Sequence, residues 1–340
     1  LYLIDYAHER NVKIKLCATL FGQNELLILL SSPENRQNAI DNLLSLVVSM
    51  NADGIDIDFE LLPNSQRENL VLFMQELSEA FHSEMNDPII TMATPAVDWS
   101  NAWDYASLAE IADGLFIMGY NYFYSGSSNA GPVSPLGGYY YDIEFTIDDY
   151  IEKTQNQLHK IILGLPYYGY DWPVQDNIIN SETTGYGLAR FYEESVDLFT
   201  EFGYNIDNQS NSQWIPYENE LDWRQCWYDD SLSLSIKYQF AIDKDIAGVG
   251  IWALGYDNGY DELWGAIYDK FIYSLLGDLN NDTLVNVVDI VLLVNIVLGA
   301  VENFDEADLT DDGLINILDI VVLINIILGR NQLLYNLFNL

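Results

Sequence analysis

The chain has 340 residues, 52 of them acidic and only 13 Lys or Arg, for a formal charge of −39. A field of that sign repels nucleic acid and anionic membrane surfaces, and no basic cluster offers a footprint for nucleic acid. Apolar residues make up 49% of the chain, enough for the core of a large domain and a small one, while Cys17 and Cys226 are too few for a disulfide framework. No apolar run reaches the length of a transmembrane helix. The chain opens without Met or a signal-like stretch and reads as a fragment or a mature product.

In chain order, residues 1–10 read as a helix with Leu3, Ile4, Tyr6 and Ala7 on one side. Residues 12–21 read as a strand, 33–50 as an amphipathic helix, 53–60 as a strand and about 65–82 as a helix. After Asn86-Asp87-Pro88 come a strand over 89–96, a short helix over 105–111 and a strand over 114–122. A Gly/Ser/Pro-rich loop at 125–138 leads to a helix over about 146–159 and a strand over 160–168. An aromatic-rich insertion at about 174–226 breaks the rhythm, which a helix over 231–243 and a strand over 247–254 resume. Alternating strands and helices predict an α/β fold with a parallel sheet, here a TIM (β/α)8 barrel. Six strands are counted where a closed barrel needs eight, so the first two are expected before residue 1.

The strand Asp53-Gly54-Ile55-Asp56-Ile57-Asp58-Phe59-Glu60 alternates apolar and acidic side chains. Period-two geometry puts Asp56, Asp58 and Glu60 on one face, with neighbours about 6.5–7 Å apart, and Ile55, Ile57 and Phe59 on the other. Three carboxyls on one face are either a solvated edge or an active site, since buried carboxylates need partners or raised pKa values. Active sites of such barrels lie at the C-terminal strand ends. Those ends carry Glu60, Thr94-Pro95, Tyr120-Asn121-Tyr122, Tyr167-Tyr168 and Trp252. Flat rings for stacking and hydroxyls for hydrogen bonding make a wall suited to a sugar.

These residues resemble glycoside hydrolase family 18, the chitinase-like family. Asp53, Asp56, Asp58 and Glu60 match its Asp-x-x-Asp-x-Asp-x-Glu motif in full, Met118-Gly119-Tyr120-Asn121 is similar to its Met-x-Tyr-Asp strand, and Gly250-Ile251-Trp252 to its last strand. Asn121 stands where the family usually has Asp, and Tyr170 where many members carry Arg. The resemblance implies retaining, substrate-assisted hydrolysis of β-linked N-acetylglucosamine glycans, the exception to the two-carboxylate rule. Glu60 is then the general acid, Asp58 the group that orients the 2-acetamido group, Asp56 its proton-sharing neighbour and Tyr120 a donor to the acetamido oxygen. Trp252 is the floor of the site, and Asn121, Met118, Tyr122, Tyr167 and Tyr168 are further substrate-binding positions. Asp53 supports the strand. The alternatives are a non-catalytic chitinase-like sugar-binding protein, disfavoured by the presence of Glu60, and a peptidoglycan- or N-glycan-directed member of the same family.

Residues 278–299 and 308–329 form an internal repeat that starts thirty positions apart. Asp278, Asn280, Asp282, Leu284, Asn286 and Asp289 fall at positions 1, 3, 5, 7, 9 and 12 of an EF-hand-like loop, and Asp308, Thr310, Asp312, Leu314, Asn316 and Asp319 repeat them. Oxygen ligands in that number suit Ca²⁺. Each loop runs into an apolar helix, too short to span a bilayer, and ended by Gly299 or Gly329 as C-cap. This repeat resembles a type I dockerin, an all-α module that binds a cohesin-like partner and two calcium ions. The expected layout is a barrel over 1–274, a dockerin over 277–330 and an unassigned apolar tail over 331–340, in a secreted or cell-surface protein of polysaccharide catabolism.

Overall fold

The computed structural model describes residues 2–219, 222–272, 276–280, 284–301 and 304–328. Asp282, Gly329 and the apolar tail, all named above, lie outside them. The chain divides into two units between Tyr260 and Asp261.

The first unit alternates strands and helices: α1 (Tyr2–His8), β1 (Lys15–Leu20), α2 (Gln23–Ser31), α3 (Pro33–Met50), β2 (Gly54–Phe59), α4 (Arg67–Glu84), β3 (Ile89–Pro95), α5 (Tyr105–Ile111), β4 (Gly114–Met118), α6 (Ile143–Lys153) and β5 (Ile161–Pro166). The insertion follows as β6 (Tyr168–Val174), β7 (Leu188–Phe191), α7 (Tyr192–Phe202), β8 (Asn205–Asp207), β9 (Ser212–Glu218) and β10 (Trp223–Tyr228), after which come α8 (Ser231–Asp243) and β11 (Gly248–Trp252). Local chemistry marks the helix ends. Ser32 caps α3 by accepting from the Asn35 N–H, with Pro33 at its first turn, and Asn51 closes it in the left-handed region at φ 57°. Asp142 and Asp230 cap α6 and α8 in the same way.

Six strands form one parallel sheet in the order β1-β2-β3-β4-β5-β11, an arc of a (β/α)8 barrel. Ile55 and Ile57 are fully buried, and Phe59 packs on Phe73 of α4 with ring centroids 5.5 Å apart. The apolar face of the acidic strand therefore faces the helices and its carboxyl face looks inward. Phe116 of β4 lies over β5 and β11 where both carry glycine: a Cβ on Gly164 or Gly250 would sit 2.4 or 2.2 Å from its ring.

The insertion is a five-stranded antiparallel sheet in the order β7-β6-β10-β9-β8, built on Trp172, Trp214 and Trp227. It begins at Tyr168 rather than near residue 174, separated from β5 by Tyr167 alone. Fully buried Asp171 is met by Arg190 at 2.8 Å, Arg224 at 2.9 Å and the Tyr217 hydroxyl at 2.8 Å. A second buried pair, Lys237 of α8 with Asp229 just beyond β10, closes to 2.5 Å. Helix α2 was not predicted. Its sequence, Gln23-Asn24-Glu25-Leu26-Leu27-Ile28-Leu29-Leu30-Ser31, is apolar nearly all round, so it has little helical contrast, although Leu26 and Leu30 alone are buried.

The second unit contains α9 (Asp261–Ile267), a π-helical turn over Tyr268–Ile272, α10 (Val287–Val297) and α11 (Ile317–Ile327). Its repeats share a core of Leu279, Leu293, Ile296, Ala307, Leu309, Val322 and Leu323. No described helix is long and apolar enough to cross a membrane.

Candidate active site

Five of the six parallel strands, β1 to β4 and β11, and the segments beyond their C-terminal ends line a cleft of about 1030 Å³. Asp56, Asp58 and Glu60 line it from β2 and just beyond, with Tyr120, Asn121 and Tyr122 beyond β4, Met118 at its end, Tyr168 from β6 and Trp252 from β11. Of the substrate-binding positions named from sequence, Tyr167 is the exception. It is fully buried, does not line the cleft, and its hydroxyl lies 3.4 Å from that of Tyr238 in α8. Strand alternation sends Tyr167 behind the wall that Tyr168 faces.

The three carboxyls sit in different surroundings. Asp56 accepts from the Thr91 hydroxyl through Oδ1 and faces the Cys17 thiol at 3.7 Å through Oδ2. Asp58 is 7% exposed, and its Oδ1 is buried with no hydrogen-bond partner among the described residues. Burial first, then the charges of Glu60 and Asp56, push its carboxyl up to about 6. Glu60 is also raised, by burial. No hydrogen bond joins Asp56 to Asp58 among the described residues, so the proton-sharing contact expected from sequence is absent here. Tyr120 is pushed well up by burial and then by Asp58, Glu60 and Asp56, which keeps its hydroxyl a donor.

The chain leaves β4 at Gly119, whose N–H turns back to the Ile117 carbonyl at 2.8 Å, as does that of Tyr120 to Met118. The predicted strand over 114–122 is accordingly shorter. Asn121 then adopts a left-handed conformation at φ 61° and accepts from the Tyr168 hydroxyl at 2.8 Å. Asn tolerates that region better than most side chains. Tyr122 is held from behind by Thr146 at 2.6 Å. Trp252 is 46% exposed and its peptide bond to Ala253 is cis.

Asp53 is outside the cleft. It binds Lys13 Nζ at 2.8 Å, His8 Nε2 at 2.8 Å and the Ile14 N–H at 2.8 Å, tying β2 to the entry of β1. Burial alone would raise its carboxyl, but these donors hold it at about 2. Lining residues not named from sequence include Lys15, Cys17, Phe116, Trp99 and Tyr141. Trp99 is 76% exposed and meets Tyr141 edge-on at 4.6 Å. Exposed aromatic residues in the loops following β3 and β4 were the available signal.

In the second unit, the last aspartate of each loop is fully buried and acts as a hub. Asp289 accepts from the N–H groups of Leu279, Asn280 and Asn286, and Asp319 from those of Thr310 and Asn316. Asn286 and Asn316 cap α10 and α11 and donate to the Leu284 and Leu314 carbonyls. Asp308 accepts from the Asp312 and Gly313 N–H groups, which hold its carboxyl below the usual range although burial works the other way. Gly313 makes the turn at φ 80°, the sharp position of such a loop. Among the described residues no group of three His, Cys, Asp or Glu converges as a metal cluster. The loops instead mix carboxylates with Asn, Thr and backbone oxygens, a hard-donor set that fits Ca²⁺.

Residues 2–257 match the family model described as glycosyl hydrolases family 18, and residues 276–328 match the type I dockerin domain. The chain is 28% identical over 235 residues to YdhD of Bacillus subtilis (strain 168), which carries the name of a sporulation-specific glycosylase; the match covers 66% of this chain and 52% of that protein. It is 25% identical over 308 residues to di-N-acetylchitobiase of Rattus norvegicus, covering 78% of each. The group IV chitinase of Ostrinia furnacalis shares the fold, with a TM-score of 0.70 at 21% identity over 78% of this chain and 82% of that one. The chain spans about half the length of several curated relatives that it matches. It belongs to glycosyl hydrolases family 18 and carries a type I dockerin domain after its partial (β/α)8 barrel.

Proposed function

We propose that the cleft hydrolyses β-linked N-acetylglucosamine glycans with retention, using the substrate's own acetamido group as nucleophile. The observation that supports this most is Asp58: a buried carboxyl near 6 whose Oδ1 lacks a partner, next to raised Glu60 in a cleft walled by tyrosines and Trp252. An acetamido N–H is the donor that such an oxygen lacks. Glu60 gives its proton to the glycosidic oxygen as the C1–O bond breaks, while the acetamido oxygen bonds to C1 from the opposite face. Asp58 steadies the cationic oxazolinium ring. Water then adds to C1 as Glu60 takes its proton back and the ring opens, so the anomeric configuration is retained. Tyr120 donates to the acetamido oxygen, Trp252 lies under the reacting ring, and Met118, Asn121, Tyr122 and Tyr168 shape the wall.

The dockerin would bind Ca²⁺ through Asp278, Asn280, Asp282, Leu284, Asn286 and Asp289, and through Asp308, Thr310, Asp312, Leu314, Asn316 and Asp319. Bound to a cohesin-like module, it tethers the hydrolase outside the cell or at its surface. Calcium supplies folding energy to these loops. A panel of chitin, peptidoglycan and N-glycan fragments, with product analysis by mass, tests the assignment. Release of acetamido-sugar fragments from one or more supports it, and failure on all three refutes it.

A further inference from the structure

Lys15 is the one Lys, Arg or His among the described residues lining the cleft. It pairs in register with Gly54, while Asp56 is flanked in register by Cys17 on β1 and Thr91 on β3. Because β2 lies between β1 and β3, the Lys15 side chain crosses β2 to reach Thr91. Gly54, its partner in register, has no room for a Cβ against the Ile89 backbone. Lys15 Nζ donates to Thr91 Oγ1 at 2.5 Å and stands 4.0 Å from Asp56 Oδ1. An ammonium can only donate, so it occupies a lone pair of Thr91 Oγ1 and turns the single hydroxyl hydrogen toward Asp56 Oδ1, the contact observed.

We propose that Lys15, acting through Thr91, is a positioning residue that fixes Asp56 as an acceptor at the foot of the cleft, so that protons are retained higher up, at Asp58 and Glu60. The inference rests on the reading of the cleft given above. Burial lowers Lys15 from its ordinary value, opposed by Asp56 first and then by Cys17 and by Asp113 at the foot of β4. Around Asp58 are Asp56 and Glu60, with Tyr120 opposite. Cys17 is pushed up to about 12 by burial, then by Asp56 and Asp58, and so adds no charge of its own. The single cation is thus at one end of the carboxyl row. Asp56 has two side-chain neighbours aimed at it, whereas Asp58 Oδ1 has none.

The test compares the full chain with its Lys15→Met, Lys15→Arg and Thr91→Val variants, each checked for folding by circular dichroism. Carboxyl titrations are followed by 13C NMR, and kcat/KM is measured against pH on an N-acetylglucosamine oligomer. An opposite charge within 4–6 Å lowers a carboxyl pKa by about 1–3 units; without it Asp56 competes with Asp58 for the proton, so Lys15→Met lowers the Asp58 titration. The limb of the pH profile that follows Asp58 then moves down by about one unit, with KM unchanged within about twofold. Lys15→Arg restores the profile, and Thr91→Val shifts it in the same direction but less. Unshifted carboxyl titrations in folded Lys15→Met overturn the proposal. Wild-type inactivity on every acetamido-sugar substrate overturns the hydrolase reading instead, and the NMR titration separates the two.

Discussion

The Tyr168 hydroxyl donates to Asn121 Oδ1 at 2.8 Å, joining the first residue of the insertion sheet to the turn that presents Tyr120. Tyr168 is 8% exposed and Asn121 is in a left-handed conformation, so the bond anchors the side chain of a turn that Asn already favours. Tyr168→Phe keeps the ring and deletes the donor. It should cost about 1 kcal/mol in urea unfolding and raise KM by loosening the Tyr120 turn. An unchanged unfolding midpoint would show that the turn holds without the insertion.

Asp58 links function to stability. Its folded carboxyl lies near 6, above the ordinary aspartate value of 3.8. The folded state therefore binds the extra proton between those values, and the stability this gives is present at low pH and lost as pH rises through 6. Asp58→Asn removes the ionisation. It should stabilise the protein by about 1–2 kcal/mol at pH 8 and leave stability at pH 4 nearly unchanged. Equal unfolding midpoints for mutant and wild type at both pH values would contradict the burial of this charge.

The Lys237–Asp229 pair is fully desolvated on both sides; burial pushes Asp229 up and Lys237 down, each toward its neutral form. Breaking one partner leaves the other charge buried alone. Lys237→Met should cost about 3–5 kcal/mol, and adding Asp229→Leu should recover much of that. Chemical unfolding of the two variants measures it, and a double mutant no more stable than the single would mean that the Ser212 contacts at the same point dominate.

Calcium should stabilise residues 276–328 by about 2.7 kcal/mol at a free concentration a hundredfold above Kd. Calorimetry of the full chain with Ca²⁺ and with a chelator resolves the transition. Asp308→Ala, which removes the acceptor for the Asp312 and Gly313 N–H groups, should weaken the effect. A transition indifferent to the chelator would refute metal binding.

The acidic strand was legible because period two sorts Asp56 and Asp58 from Ile55 and Ile57 without tertiary information, and the burial of Ile55 and Ile57 follows that sorting. The repeat in the second unit was legible because loop ligands, unlike core residues, have fixed spacing. The start of the insertion was not, since Leu165-Pro166-Tyr167-Tyr168-Gly169 contains no turn that separates β5 from β6. Tyr167 was misplaced for the same reason: one residue of register decides whether a side chain faces the cleft or the helices. Lys15 and Thr91 were hidden because their roles arise from pairing across three strands. Trp99 and Tyr141 lie 42 residues apart in sequence, and only folding brings their rings together.

The central claim is retention with Glu60 as the acid. Proton NMR of the products released from a β-linked N-acetylglucosamine tetramer, by wild type and by Glu60→Gln, tests it most directly. The β anomer should appear first with wild type, and Glu60→Gln should lose about 10²–10⁴-fold in kcat while still binding the oligomer. First appearance of the α anomer, or a Glu60→Gln variant within tenfold of wild type, would contradict it.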